Sequence, residues 1–313
     1  MAQSSRKTAN LRIGTRGSPL ALAQAHMVQD ALAAAHGIPA DGIEIVVIKT
    51  TGDRIQDRPL ADSGGKGLFT KEIEDALLSG DIDLAVHSAK DLTTLLPKGL
   101  IVAACLPRED ARDAFISRTA ATLAGLPQGA TLGTASLRRA AQVKRLRPDL
   151  TIGPLRGNVE TRLRKLDDGQ MDATILALAG LKRLGRADAA TSILEPHDFL
   201  PAVGQGAIAL QTRENDGATR EALAAINHPA TLTALIAERA FLDMLDGSCR
   251  TPIAGHAIVT NDRLQLRGMI IRPDGSEAHE TTRDGHVRDA AALGADAGRE
   301  LKAKGGADFF KGP

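Results

Sequence analysis

The 313 residues contain no tryptophan and no tyrosine, and only six phenylalanines. A core built from this chain must therefore rest on Leu, Ile, Val and Ala, and the aromatic platforms on which nucleobases stack are almost missing. Charge of one sign is missing too: 39 Lys and Arg stand against 38 Asp and Glu, a formal net charge of +1. No global field draws the chain to nucleic acid. No apolar run approaches the roughly 20 residues that a membrane-spanning helix needs, so no membrane partner is expected. The N-terminal stretch MAQSSRKTANLRIG has basic residues but no apolar signal core, which points to a cytoplasmic protein. Cysteine is scarce, with only Cys105 and Cys249, and this excludes a disulfide framework. The eight histidines show no paired ligand spacing, so no metal is expected.

What is present is an alternation of strand-like and helix-like segments. LRIGTR runs into SPLALAQAHMVQDALAAAH, where Ser18 and Pro19 read as helix cap and first residue, and Gly37 as the stop. IEIVVIK, the helix TKEIEDALLSG and the strand IDLAVHS follow. This is the grammar of an α/β fold with a mostly parallel sheet. The pattern then restarts, since IGTRGSPLALAQ at 13–24 is echoed by LGTASLRRAAQ at 132–142. Two similar lobes are expected, with AIALQTR a late strand returning to the first. The last third offers the helix TLTALIAERAFLDML, the strands IAGHAIVT and LQLRGMIIR, a turn at Pro273, and a final Ala-rich helix. The expected division is 1–106 with 207–224, then 107–206, then a C-terminal α+β domain at 225–313.

Both echoed helices begin where unpaired N–H groups and the helix dipole favour an anion. The second adds Arg138 and Arg139 in its first turn, where a basic residue opposes the dipole unless an anion offsets it. Arg16 and Arg156 stand at strand ends, and Arg162 opens the next helix. In doubly wound sheets the carboxyl ends of strands face the ligand crevice, so these five arginines are expected to converge on a polyanion between the lobes. Lys144, Arg145 and Arg147 read instead as a solvated helix face. HSAKDL puts His87, Ser88, Lys90 and Asp91 at a strand end, with Asp91 a candidate for proton transfer and His87 a core residue. GGKGLFT lacks the Ser or Thr that a phosphate loop needs after its lysine, so Lys66 reads as a cation in a glycine loop. Cys105 lies in the apolar run LIVAACL and reads as a small hydrophobe. Cys249, in LDGSCRTPIAG, sits in a small-residue turn beside Arg250, a setting for a tethering or nucleophilic thiol.

Taken together, IGTRGSPLALAQ, GGKGLFTKE, HSAKDL, LGTASLRRAAQ, LRGNVETRLRKL, ALAGLKRLG, LPAVGQGAIAL and LDGSCRTPIAG resemble the porphobilinogen deaminase family, in the right order over about residues 11 to 310. The resemblance implies two doubly wound lobes like those of periplasmic binding proteins, plus the small C-terminal α+β domain. It implies a transferase that deaminates porphobilinogen and joins four units head to tail on a dipyrromethane cofactor, then releases the linear tetrapyrrole by hydrolysis. It makes Cys249 the thioether attachment point of that cofactor and Asp91 the acid and base. Contacts to cofactor or substrate are implied for Arg16, Ser18, Lys66, Ser88, Lys90, Thr134, Ser136, Arg138, Arg139, Arg156, Arg162, Arg183 and Gln205. The sequence departs from many relatives at Ala89 and Thr93, and from some at Asp62. A monomer is expected. A two-lobed binding protein for a small polycarboxylate is the alternative reading.

Overall fold

The computed structural model describes residues 11–54, 67–247, 251–306 and 308–310. The chain forms two compact units, residues 1–109 with 207–232, and residues 110–206 with 233–313. Both are α/β, the class the sequence implies.

In the first unit β1 (Arg12–Thr15) leads to α1 (Pro19–His36). Ser18 caps this helix by accepting from the Ala21 N–H at 3.3 Å, and Gly37 ends it in the left-handed region at φ +62°. Then come β2 (Glu44–Val47), the single turn α2 (Thr51–Arg54), α3 (Lys71–Ser79), β3 (Leu84–Ser88), a 3-10 turn at Ala89–Asp91, and β4 (Leu100–Cys105). The second unit opens with β5 (Asp113–Ser117), β6 (Thr131–Gly133), α4 (Leu137–Leu146), β7 (Thr151–Gly153), α5 (Val159–Asp167), β8 (Ala173–Ala177), α6 (Leu178–Arg183) and β9 (Ser192–Leu194). The chain returns to the first unit with β10 (Ile208–Arg213) and α7 (Gly217–Ala224).

The two sheets have the orders β2-β1-β3-β10-β4 and β7-β6-β8-β5-β9. In each, the first three strands run parallel and the fourth runs against its neighbours. The β1–α1 and β6–α4 pairs hold the same place in their sheets, which is the echo read from the sequence. β3 is buried on both faces: Leu84 and Val86 join the core beneath α1, and Ala85 joins the core beneath α3. Alternation then sends Ser88 toward α1 and His87 toward α3.

α8 (Pro229–Met244) starts at the end of the first unit and runs into the second, which is completed by an antiparallel sheet of β11 (Ile253–Thr260), β12 (Arg263–Ile271) and β13 (Ala278–His286), and by α9 (Ala290–Gly305). Phe241 of α8, fully buried, anchors this core between glycines. A Cβ on Gly268 would stand 2.6 Å from its ring, and one on Gly294 would stand 2.0 Å from the Ala237 carbonyl oxygen. Only absent side chains let α8 and α9 cross so closely. β13, AHETTRDGH, is a strand that the sequence reading lacked, because it is polar and only Thr281 along it is buried.

Candidate functional site

In the first unit Arg16, Ser18, Ser88 and Asp91 line one open pocket, together with Gln24, Phe69, Thr70 and His87. Each is delivered by an element end: Arg16 by β1, Ser18 by the start of α1, Ser88 by β3 and Asp91 by the 3-10 turn that follows. Asp91 is half-buried, and no hydrogen bond or ion pair ties its carboxylate to another described residue. A carboxyl group so placed is available to give and take a proton.

Its neighbours are held firmly. Arg16 pairs with Asp53 through Nε and Nη2, and its guanidinium lies 4.2 Å from the centre of the Phe69 ring. Although burial works the other way, hydrogen bonds from Arg16 and Thr50 keep the Asp53 carboxyl below the usual carboxylate range. Gln24, 2 % exposed, donates to Ser88 Oγ at 2.9 Å. Burial pushes His87 down to about 4, the charge of Arg16 acting in the same direction and a hydrogen bond to Gln211 opposing both. It is a neutral imidazole at physiological pH.

In the second unit Arg138 and Arg139, each 5 % exposed, close on Asp113, which is not exposed at all. Arg138 Nη2 lies 2.7 Å from Asp113 Oδ2, and Arg139 gives Nη2 and Nε to Oδ1 at 2.7 and 3.1 Å. Burial alone would raise Asp113, but the charges of the two arginines bring its carboxyl down to about 2. Arg138 also donates to the Leu200 carbonyl at 2.8 Å. Gln205, 1 % exposed, donates to Asp113 Oδ1 at 3.0 Å and to the Ala111 carbonyl at 2.7 Å, so its amide serves the same cluster. Two guanidiniums against one carboxylate leave one net positive charge. Ser136 caps α4 by accepting from the Arg139 N–H at 3.4 Å, and the Thr134 hydroxyl accepts from the Ser136 N–H at 3.1 Å.

The cluster suits a carboxylate ligand. It joins a helix N-terminus to a net positive charge, and Arg138 Nε is buried with no hydrogen-bond partner among the described residues.

Arg156 is half-buried in the turn between β7 and α5, Arg162 donates from Nε to the Gly157 carbonyl at 2.8 Å, and Arg183 donates from Nη2 to the Gly206 carbonyl at 2.7 Å. Lys90 lies within the 3-10 turn beside Asp91. Arg147 is more than a solvated cation, since it binds the carbonyls of Leu123, Ala124 and Leu126. Lys144 likewise caps the Leu150 carbonyl at 2.6 Å. Lys66 and Cys249 lie outside the described residues, as does Asp62. Cys105 is fully buried in β4.

Sequence reasoning missed Asp113, Asp53, Phe69 and Gln24. Among the described residues no cluster of His, Cys, Asp and Glu could hold a metal ion, and no helix is long and apolar enough to cross a membrane.

Residues 11–221 match the family described as "Porphobilinogen deaminase, dipyromethane cofactor binding domain", and residues 232–303 match "Porphobilinogen deaminase, C-terminal domain". The porphobilinogen deaminase of Nitrobacter winogradskyi is 62 % identical over 298 residues, covering 95 % of this chain and 94 % of the relative. That of Nitrobacter hamburgensis is also 62 % identical over 298 residues, with the same coverage. Among solved structures, the periplasmic VFT2 domain of Bordetella pertussis BvgS is 16 % identical with a TM-score of 0.41, covering 72 % of this chain and 91 % of its own.

Proposed function

The chain belongs to the porphobilinogen deaminase family, has hydroxymethylbilane synthase activity and uses a dipyrromethane cofactor; from this premise we propose that Asp91 carries the proton transfers, Cys249 holds the cofactor, and the arginines take the acetate and propionate groups. The reaction deaminates porphobilinogen and joins its units head to tail into a linear tetrapyrrole. Family membership decides against a two-lobed polycarboxylate-binding protein.

The observation that carries the Asp91 assignment is its untied, half-buried carboxyl in a pocket shared with Arg16, Ser18 and Ser88. As an acid it protonates the aminomethyl nitrogen, so that ammonia leaves. As the resulting carboxylate it faces the cationic carbon, and it then takes the proton from the ring carbon at which the new bond has formed. The bound dipyrromethane supplies the nucleophilic pyrrole carbon from which the chain grows. Arg16 receives a carboxylate on the edge of its guanidinium that Asp53 leaves open, and Ser18, Ser88, Lys66 and Lys90 contact further polar groups of cofactor or substrate. Arg138 and Arg139 hold carboxylates at the start of α4 with Ser136 and Thr134, with Gln205 steadying Asp113 beneath them. Arg156, Arg162 and Arg183 receive those of the lengthening product. We further take residues 225–313 as a separate domain and the protein as cytoplasmic and monomeric, the monomer being checked by light scattering.

Asp91→Asn keeps the shape and removes the titrating proton, so turnover should fall by ~10²-fold or more while intact mass still shows the cofactor. Near-normal turnover rejects the assignment. Peptide mapping should find the adduct on Cys249, and Cys249→Ala should lose it; an adduct on the buried Cys105 would refute the attachment.

A further inference from the structure

Beneath the pocket of the first unit runs a buried polar chain that the proton chemistry at Asp91 does not use. β3 and β10 pair antiparallel with His87 opposite Ala209, which sets Gln211, two residues on, on the same face as His87. His87 Nε2 lies 3.0 Å from Gln211 Oε1, Gln211 Nε2 lies 3.1 Å from Glu74 Oε1, and Thr70 Oγ1 lies 3.3 Å from Glu74 Oε2. All four side chains are buried, His87 at 5 % and Glu74 at 4 % exposure, with Gln211 and Thr70 at zero. A carboxylate buried this deeply is costly unless its hydrogen bonds are made.

The direction of the chain follows from the Gln211 amide, whose NH2 donates to Glu74 Oε1 and whose carbonyl faces His87. The hydrogen of the neutral imidazole is then on Nε2, and Nδ1 is left as a bare acceptor. No described residue donates to Nδ1, and His87 lines the same pocket as Asp91. A neutral acceptor there suits a neutral N–H donor. It offers no second carboxylate to hold a proton in place of Asp91, and no cation to oppose the charge that forms as Asp91 protonates the aminomethyl nitrogen.

We propose that Glu74, acting through Gln211, is a positioning residue that fixes the tautomer of His87 so that Nδ1 accepts a hydrogen bond from the pyrrole N–H of the substrate. The proposal rests on the reading of this pocket as the porphobilinogen site. It gives the ring a second point of orientation besides its carboxylates, and it keeps the aminomethyl group turned toward Asp91.

Long-range proton–nitrogen correlation on the 15N-labelled holoprotein, with His87 identified by the signal lost in His87→Gln, reads the tautomer directly. The expected wild-type state at neutral pH is Nε2–H with Nδ1 unprotonated. In Glu74→Gln the new amide can donate to the Gln211 carbonyl, Gln211 turns over, and the Nδ1–H form should appear. KM for porphobilinogen should then rise about 5-fold to 10-fold, the worth of one neutral hydrogen bond, with kcat within about twofold and cofactor mass unchanged. Gln211→Leu, which cuts the chain while roughly keeping its volume, should raise KM similarly and serves if Glu74→Gln fails to fold. A wild-type His87 found as Nδ1–H or as a cation overturns the proposal. So does a tautomer switch that leaves KM unmoved, or a variant that lowers only the melting temperature. The tautomer is read without turnover, so its failure leaves the Asp91 assignment standing, and failure of that assignment leaves the tautomer measured.

Discussion

Asp113 Oδ1 lies 2.7 Å from Arg139 Nη2, at an aspartate wholly shielded from solvent. Basic residues in the first turn of a helix call for a compensating anion. Here the protein supplies one of its own, from a strand that starts 26 residues earlier. The expected outcome of Asp113→Asn is therefore severe, because two buried guanidiniums lose their counter-charge. Breaking such a buried pair costs roughly 3–5 kcal/mol, which equilibrium unfolding would register. The wild-type contribution is present above the ordinary carboxylate range and is lost as pH falls through about 2, since the native carboxyl is the stronger acid. An Asp113→Asn protein as stable as wild type would show that the cluster contributes little.

The arginines should divide their work by stage. Arg138→Leu and Arg139→Leu should yield largely cofactor-free protein, whereas Arg16→Leu and Arg156→Leu should keep the cofactor and elongate poorly, and Arg183→Leu should stall later. Replacement by lysine should also be harmful, because a point charge cannot reproduce the guanidinium fork. Mass spectrometry of trapped complexes counts the rings on each variant. The same ring count in all of them would contradict the division.

His87 makes the fold sensitive to mild acid. Its native value of about 4 lies below the ordinary 6.5, so between these limits the unfolded chain binds a proton that the folded chain refuses. Stability is full above about pH 6.5, declines as pH falls, and levels off below about pH 4, a total of about 3 kcal/mol. Denaturation midpoints across this range should fall less steeply in His87→Gln. Parallel slopes would count against a buried neutral imidazole.

Gly294→Ala sets two effects against each other. In an exposed helix the change would stabilise by about 1 kcal/mol. Here the new methyl would meet the Ala237 carbonyl oxygen at 2.0 Å, and α9 must move off α8. Overpacking of this kind costs roughly 1–3 kcal/mol, so a net loss is expected in thermal melts. A gain would show that the two helices separate freely.

The sequence was most readable where structure is local. Ser18, Pro19 and Gly37 end α1 as their chemistry requires, and LIVAACL is a strand that ends at the buried Cys105, although Ile101, Val102 and Ala103 along it are only half-buried. The repeated strand-to-helix start was visible because both copies keep Gly-Thr before a capping serine. Asp91, Ser88, Ser18 and Arg16 were legible as strand and helix ends, and they do line one pocket. Partners joined only through space were not legible. Nothing in DAFIS announces that its aspartate lies under Arg138 and Arg139, and nothing near Arg16 points to Asp53 or Phe69. β13 was hidden because an edge strand with one buried residue has no apolar period to read.

The position of β10 has a further consequence, for the order in which the chain can fold as it is made. The sheet of the second unit uses residues 113–194 in one continuous run. That of the first unit lacks the strand between β3 and β4 until residue 213 has been synthesised. The later-made lobe can thus complete its sheet first, while β3 and β4 wait with open edges through roughly a hundred further residues, a delay of about 5–20 s at ordinary synthesis rates. Unpaired strand edges are the part of a nascent chain most prone to wrong pairing. Truncations ending before residue 208 are where a chaperone's grip on this protein should be strongest.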